Sequence, residues 1–235
     1  MKRSLLTRIT FFMASALTLA AAAPVSATQI PWNVETVQSS GTQIGNLTAA
    51  QSLLAGGIAH SVDVSAEANT LNYTLPGQAS NGHFPNEVSF PGITSANEYN
   101  FAVHATANVN ITSPGTYTFG VNSDDGFQLT VGSNVISYPT PRAAGDSLAT
   151  FNFPAAGAYP IDLVYFQHAG GGDLEVFASS GSYTTFAQSG SNFQLVGDTA
   201  NGGLSLASAP TPEPSTGFVL VPIALGLLLR RRSIP

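Results

Sequence analysis

Apolar side chains recur at every second position through the middle of the chain. Phe101, Val103, Ala105, Ala107, Val109 and Ile111 alternate with polar or small residues, a Ser-Pro-Gly turn follows, and Tyr117, Phe119 and Val121 resume the period. Past two aspartates, Phe127, Leu129 and Val131 alternate, Gly-Ser-Asn turns the chain, and Val135-Ile136 opens another short run. A loop with Pro139, Pro141, Gly145 and Asp146 leads to LATFNF at 148–153, a Pro-Ala-Ala-Gly turn, then Tyr159, Ile161, Leu163 and Tyr165, the loop HAGGGD, and Leu174, Val176 and Ala178. Period two buries one face of a strand, and many short strands with Gly/Pro turns at this spacing predict an all-β fold, an antiparallel sandwich or barrel. Only LTAAQSLLAGG, residues 47–57, has helical spacing: Leu47, Gln51 and Leu54, or Ala50, Leu53 and Ile58, share a face, and Gly56-Gly57 end it. SPGTYTF from Ser113 and PAAGAYPI from Pro154 repeat one pattern, a Pro/Gly turn and then a Tyr opening an alternating strand. They read as equivalent hairpin corners of two layers.

The two ends follow different rules. Lys2, Arg3 and Arg8 precede the apolar run ITFFMASALTLAAAA, and Val25 and Ala27 are the small residues a signal peptidase reads, so residues 1–27 are expected to be a signal peptide. At the other end an uncharged apolar stretch at 217–229 runs into Arg230, Arg231 and Arg232. As a helix it would reach roughly 20 Å against a hydrocarbon core of roughly 30 Å, which is short for a permanent anchor. Both charged ends would stay on the cytoplasmic side, leaving the body outside. Pro212-Glu213-Pro214, the short apolar helix and the terminal arginines resemble the PEP-CTERM sorting signal of Gram-negative bacteria that make extracellular polysaccharide. That resemblance implies an inner-membrane intermediate, an exosortase-type membrane protease as partner, cleavage near Pro-Glu-Pro, and delivery of the body to the cell surface or matrix. The expected organisation is therefore a signal at 1–27, a β domain at 28–198, a small-residue linker at 199–210 and the sorting signal at 211–235.

Composition narrows the body further. It has no cysteine, so no disulfide supports it. Of seven Lys and Arg only Arg142 lies outside the terminal segments, whereas all thirteen Asp and Glu except Glu213 lie between them. A body so acidic excludes nucleic acid and anionic lipid as partners, because both require cations to displace counterions. HExxH, GxSxG and GxxxxGK motifs are absent, and no pair of acids is spaced for glycoside hydrolysis, so no enzyme is expected.

The chemistry concentrates in GVNSDDGFQLTVG, residues 120–132, where Asp124 and Asp125 are adjacent. Asp-Gly between alternating apolar residues is a strong hairpin signal, and two neighbouring carboxylates are also a ready start for a cation site. GTYTFGVNSDDGFQLTVGSNVI, with AGAYPIDLVYFQHAGGGDLEVFA further on, is similar to the protective-antigen fourteen-kilodalton domain over about residues 80–180. The features that carry the likeness are the Gly-x-Tyr-x-Phe strand, Ser-Asp-Asp-Gly, and a Tyr-Pro-Ile strand ending in a Gly-rich loop. The resemblance implies a β-sandwich in which the two aspartates, joined by a cis peptide, hold calcium that bridges to sugar hydroxyls. Further metal ligands would come from Asn122, Asp173 and the carbonyls of Gly170, Gly171 and Gly172, with Gly171 also against the sugar. Tyr165, Phe166, Tyr183 or the ring of His168 would supply an aromatic face, with an extracellular polysaccharide or glycan as partner. The chain departs from the calcium-binding adhesins in that QHAGGGD has neither the Asn nor the Trp of their later loop, and a purely structural surface protein is the alternative. NGHFPNEVSFPG from Asn81 reads as a loop packed under the sandwich, and Trp32 as a core plug.

Overall fold

The computed structural model describes residues 30–189 and 192–208. The expected signal peptide, Pro212-Glu213-Pro214, the apolar stretch at 217–229 and Arg230 to Arg232 lie outside the described residues. Among those described, no helix is long and apolar enough to cross a membrane.

The alternating runs form strands at the expected places. The first sheet contains β1 (Trp32–Ser39), β2 (His60–Ala68), β5 (Phe101–Ile111), β7 (Gly126–Val131), β8 (Asn134–Tyr138) and β10 (Gly157–Gln167), in the order β2-β1-β5-β10-β7-β8. The second contains β3 (Asn72–Thr74), β4 (Val88–Ser89), β6 (Gly115–Asp124), β9 (Gly145–Phe153) and β11 (Asp173–Ser180), in the order β4-β3-β11-β6-β9, with β12 (Gln194–Leu195) paired to β11. All pairings are antiparallel except β3 with β4. The inward positions of both sheets, Val103, Ala105, Phe119, Val121, Phe127, Leu129, Leu163 and Val176 among them, form one core, so the fold is a sandwich. Trp32 plugs that core, its indole N–H donating to the Val196 carbonyl at 3.3 Å.

The helix α1 (Leu47–Leu54) is capped by Asn46, whose side chain accepts from the Ala49 N–H at 2.9 Å. It buries Ala50 and Leu53 against the outer face of the first sheet, on Val37, Ala102, Val164 and Phe166. The two Tyr corners are equivalent: the Tyr117 hydroxyl donates to the Ser113 carbonyl at 3.0 Å and that of Tyr159 to the Ala155 carbonyl at 2.9 Å. They are not hairpins, however. β5 and β6 belong to different sheets, as do β9 and β10, so each corner carries the chain across the sandwich. The 81–87 loop does not lie under the sandwich; it covers the outer face of the second sheet, where His83 stacks on Phe186 at 3.7 Å and its backbone N–H donates to Glu175.

Candidate functional site

The paired aspartates stand at another crossing. β6 pairs with β11 and β9, and β7 pairs with β10 and β8, so the hairpin reading of Asp-Gly fails: the strands that flank it are not partners. The Asp124–Asp125 peptide is cis, as the resemblance implied. Gly126 is needed for space rather than for an unusual φ, since a Cβ there would sit 2.5 Å from the Tyr138 carbonyl oxygen and 2.6 Å from the Phe166 ring. From below, the Tyr165 hydroxyl reaches the Asp124 carbonyl and, at 2.8 Å, Oε1 of Gln167. Ser123 Oγ donates to the Asp125 carbonyl at 2.7 Å.

Asp125 ties two loops to this corner. One oxygen accepts from the Arg142 N–H at 3.2 Å; the other accepts from the N–H groups of His168 at 2.6 Å and Ala169 at 3.4 Å. Arg142 is spent on the same framework. Its guanidinium donates to the Ser123 carbonyl at 3.1 Å, to Ser123 Oγ at 2.9 Å, to Ser147 Oγ at 2.9 Å and to the Gly145 carbonyl at 2.6 Å, and it lies 4.5 Å from the centre of the Tyr138 ring. Asp124 turns towards the glycine loop, where a Cβ on Gly171 would come within 2.9 Å of its Oδ2. Only glycine leaves that approach open. The result is an open cleft of about 420 Å³ lined by Asp124, Asp125, Pro141, Ala143, His168 and the 169–171 backbone.

Burial dominates the electrostatics. Desolvation, then Asp125 and Asp173, push the Asp124 carboxyl up to about 7, with the Ala144 N–H and Arg142 acting in the opposite direction. Desolvation also raises Asp125, against the N–H donors of His168, Ala169 and Arg142, and raises Asp173. Negative charge is therefore crowded at the corner, and Arg142, the one cation among the described residues, is directed at carbonyls and hydroxyls.

The other nominated residues separate. Asp173 faces Asp124 across the β11–β6 ladder, but its oxygens accept from Asn81, the backbone N–H and the side-chain amide both at 3.2 Å. Asn122 lies one repeat, about 7 Å, back along β6; its amide donates to Asp146 at 2.9 Å and its Oδ1 is buried without a partner. No group of three or more His, Asp or Glu side chains forms a metal cluster among the described residues. The carbonyls of Gly170, Gly171 and Gly172 already accept from Gln78, Gln167 and Leu75 respectively. Tyr165 and Phe166 are fully buried and offer no face to a sugar: Tyr165 points into the core, where it stacks on Phe90 at 5.3 Å, and Phe166 lies beneath α1. His168 lines the cleft with its ring over Gly45, whose Cβ would sit 3.7 Å away, and its Nδ1 is buried without a partner. Tyr183 stands near Thr118, towards the opposite end of β6, and does not meet the aspartates. Sequence reasoning did not assign Arg142 and Gln167 to the site; the signal for Arg142 was its isolation as the only cation of the body.

Residues 79–187 match the model of the PA14 domain. The PA14 domain of the MpAFP antifreeze protein superposes with a TM-score of 0.55 at 17% identity, covering 83% of this chain and 100% of that one. A PA14 sugar-binding domain from an RTX adhesin gives 0.51 at 16%, covering 72% and 95%. The Epithelial Adhesin 9 A domain from Candida glabrata, in complex with Galb1-4GlcNAc, gives 0.53 at 12%, covering 82% and 95%. At these identities the likeness is one of fold. Comparison with curated proteins returned no match.

Proposed function

We propose that the chain is an exported surface or matrix protein whose sandwich binds carbohydrate at the aspartate corner with the help of calcium, and that it is not an enzyme. The observation that carries this reading is the pair of buried carboxylates at a sheet crossing, facing an open cleft and pressed against a loop with no Cβ at Gly171. Calcium favours six to eight oxygens, and a crowded, desolvated anionic corner fits a divalent cation. Asp124 and Asp125 would hold it, and it would supply a charge to which sugar hydroxyls coordinate. Asp125 keeps the 142 and 168–169 loops in place, and Pro141, Ala143 and Ala169 offer small apolar surface to the carbon face of a sugar. The sugar-binding domain of the RTX adhesin and the Candida glabrata adhesin in its glycan complex share the fold and support the reading. Pro212-Glu213-Pro214 and the terminal arginines support processing by an exosortase-type membrane protease, after an inner-membrane intermediate.

Thermal melts of the purified protein in EDTA and in millimolar calcium test the cation. A ligand at about a hundred times its dissociation constant adds roughly 2.7 kcal/mol, and Asp124→Asn/Asp125→Asn should abolish that gain. A glycan array with and without calcium then tests the sugar. The structural-protein alternative has its own support: Asp125 already receives three backbone N–H groups, and Tyr165 and Phe166 are buried. Superimposable melts would bring it forward.

A further inference from the structure

The two poles of the sandwich differ in chemistry. At about 3.3 Å per residue, β6 separates Gly115 at its start from Asp124 at its end by roughly 30 Å. At the Gly115 pole lies a cleft of about 710 Å³, bounded by the 112–117 corner, the end of β11 and the loop that carries Tyr183. Among the described residues, no Asp, Glu, Lys, Arg or His lines it. Such a surface stands out in a body whose charged side chains are almost all acidic.

Tyr183 is tied into that cleft by its backbone and its ring. Its N–H donates to Thr118 Oγ1 at 3.0 Å and its ring meets Phe193 edge-on at 5.5 Å. Its hydroxyl lies above Gly181, where a Cβ would come within 3.0 Å of the oxygen. Among the described residues, the hydroxyls of Tyr183, Thr112, Thr116 and Ser180 have no protein hydrogen-bond partner, although all four residues line the cleft. Uncharged hydroxyls beside a fixed aromatic ring suit a neutral polyol: they exchange water for ligand hydroxyls without desolvating a charge, and the ring covers carbon.

We propose that this cleft binds a neutral saccharide without any metal ion, so that the domain has two glycan-binding poles. The cleft stands independently of the aspartate corner. Only its consequence, that one chain bridges two polysaccharide strands and gains avidity by doing so, rests on the function proposed above.

Affinity electrophoresis of the full-length chain through gels containing dextran, galactomannan or a β-1,3-glucan, all in EDTA, is the test. Retardation by at least one of the three is expected. It should persist in Asp124→Asn/Asp125→Asn and weaken at least tenfold in Tyr183→Ala. Thr116→Lys alters an exposed side chain, so it should block the cleft while leaving the fold intact, and it keeps the result readable if Tyr183→Ala disturbs its loop. Absence of retardation in all three gels, full retardation in both cleft variants, or loss of retardation in the aspartate variant would each overturn the proposal.

Discussion

The two adjacent carboxylates should respond to the same substitution with opposite signs. Asp124 is an electrostatic liability in the metal-free protein: its pKa is raised to about 7 by desolvation, Asp125 and Asp173. A carboxyl raised on folding binds more protons in the native than in the unfolded state, so stability falls as pH climbs from about 4 to about 7. At 1.36 kcal/mol per unit the rise from 3.8 to about 7 sets a ceiling of about 4 kcal/mol. Water in the open cleft screens part of this, leaving about 2 kcal/mol. Asp124→Asn removes the charge and keeps an oxygen for the Ala144 N–H, so in EDTA at pH 8 it should raise the melting temperature by roughly 4–8 °C and make no gain at pH 4. Asp125→Asn does the reverse. It replaces an acceptor of three backbone N–H groups with an amide that can serve only part of them, at a cost of about 1–3 kcal/mol. Asp125, Asp173 and Glu175 are raised as well and remain in the Asp124 variant, so only the difference between variant and parent at each pH is diagnostic. Calorimetry of both single variants at pH 4, 6 and 8 in EDTA reads this directly. If both lower the melting temperature equally at pH 8, the division of labour between the two carboxylates is wrong.

Arg142→Met should cost about 3 kcal/mol in urea unfolding, because it strips donors from the Ser123 and Gly145 carbonyls in a half-buried setting; a loss below 0.5 kcal/mol would show that the guanidinium is not the framework of the corner. Gly126→Ala meets backbone at 2.5 Å and should destabilise by about 1–3 kcal/mol, with calcium affinity falling alongside if the corner shifts. Tyr117→Phe and Tyr159→Phe break matching hydrogen bonds and should each cost about 1 kcal/mol in the same unfolding assay, with neither altering any response to calcium.

The strands from β5 to β11, the helix and both Tyr corners were legible because burial of one face imposes a period on the chain, whereas β1 to β4 and β12 were not read from the sequence. The period reports which face a residue occupies and is silent on which sheet holds the strand. GVNSDDGFQLTVG therefore read as a hairpin on local grounds, and so did SPGTYTF and PAAGAYPI, although in all three places the chain changes sheets. A clue to the crossing lies in Ser123, Asp124 and Asp125, three consecutive polar residues that are all buried. A hairpin tip would leave such residues in water, whereas a corner wedged between two loops removes them from it and must supply their hydrogen bonds.

Assigning Tyr165 and Phe166 as aromatic faces for a sugar failed for a related reason. In Val164-Tyr165-Phe166 the apolar run is continuous, which means that both faces of β10 are covered at that end: the core takes Tyr165 and α1 takes Val164 and Phe166. The helix was visible in the sequence, but the surface it covers depends on the link from Ile44, whose N–H donates to Asn100 at 3.0 Å, and from Leu47, whose N–H donates to the Pro139 carbonyl at 3.1 Å. These long-range contacts bring the start of α1 beside the loop that carries Arg142, and His168, immediately after the end of β10, lies over Gly45. The helix therefore buttresses the aspartate corner from the outer side of the first sheet, as Tyr165 does from the core. A rigid corner supported from both sides can keep two carboxylates close together at the cost of their raised pKa values, and a bound cation would offset that cost.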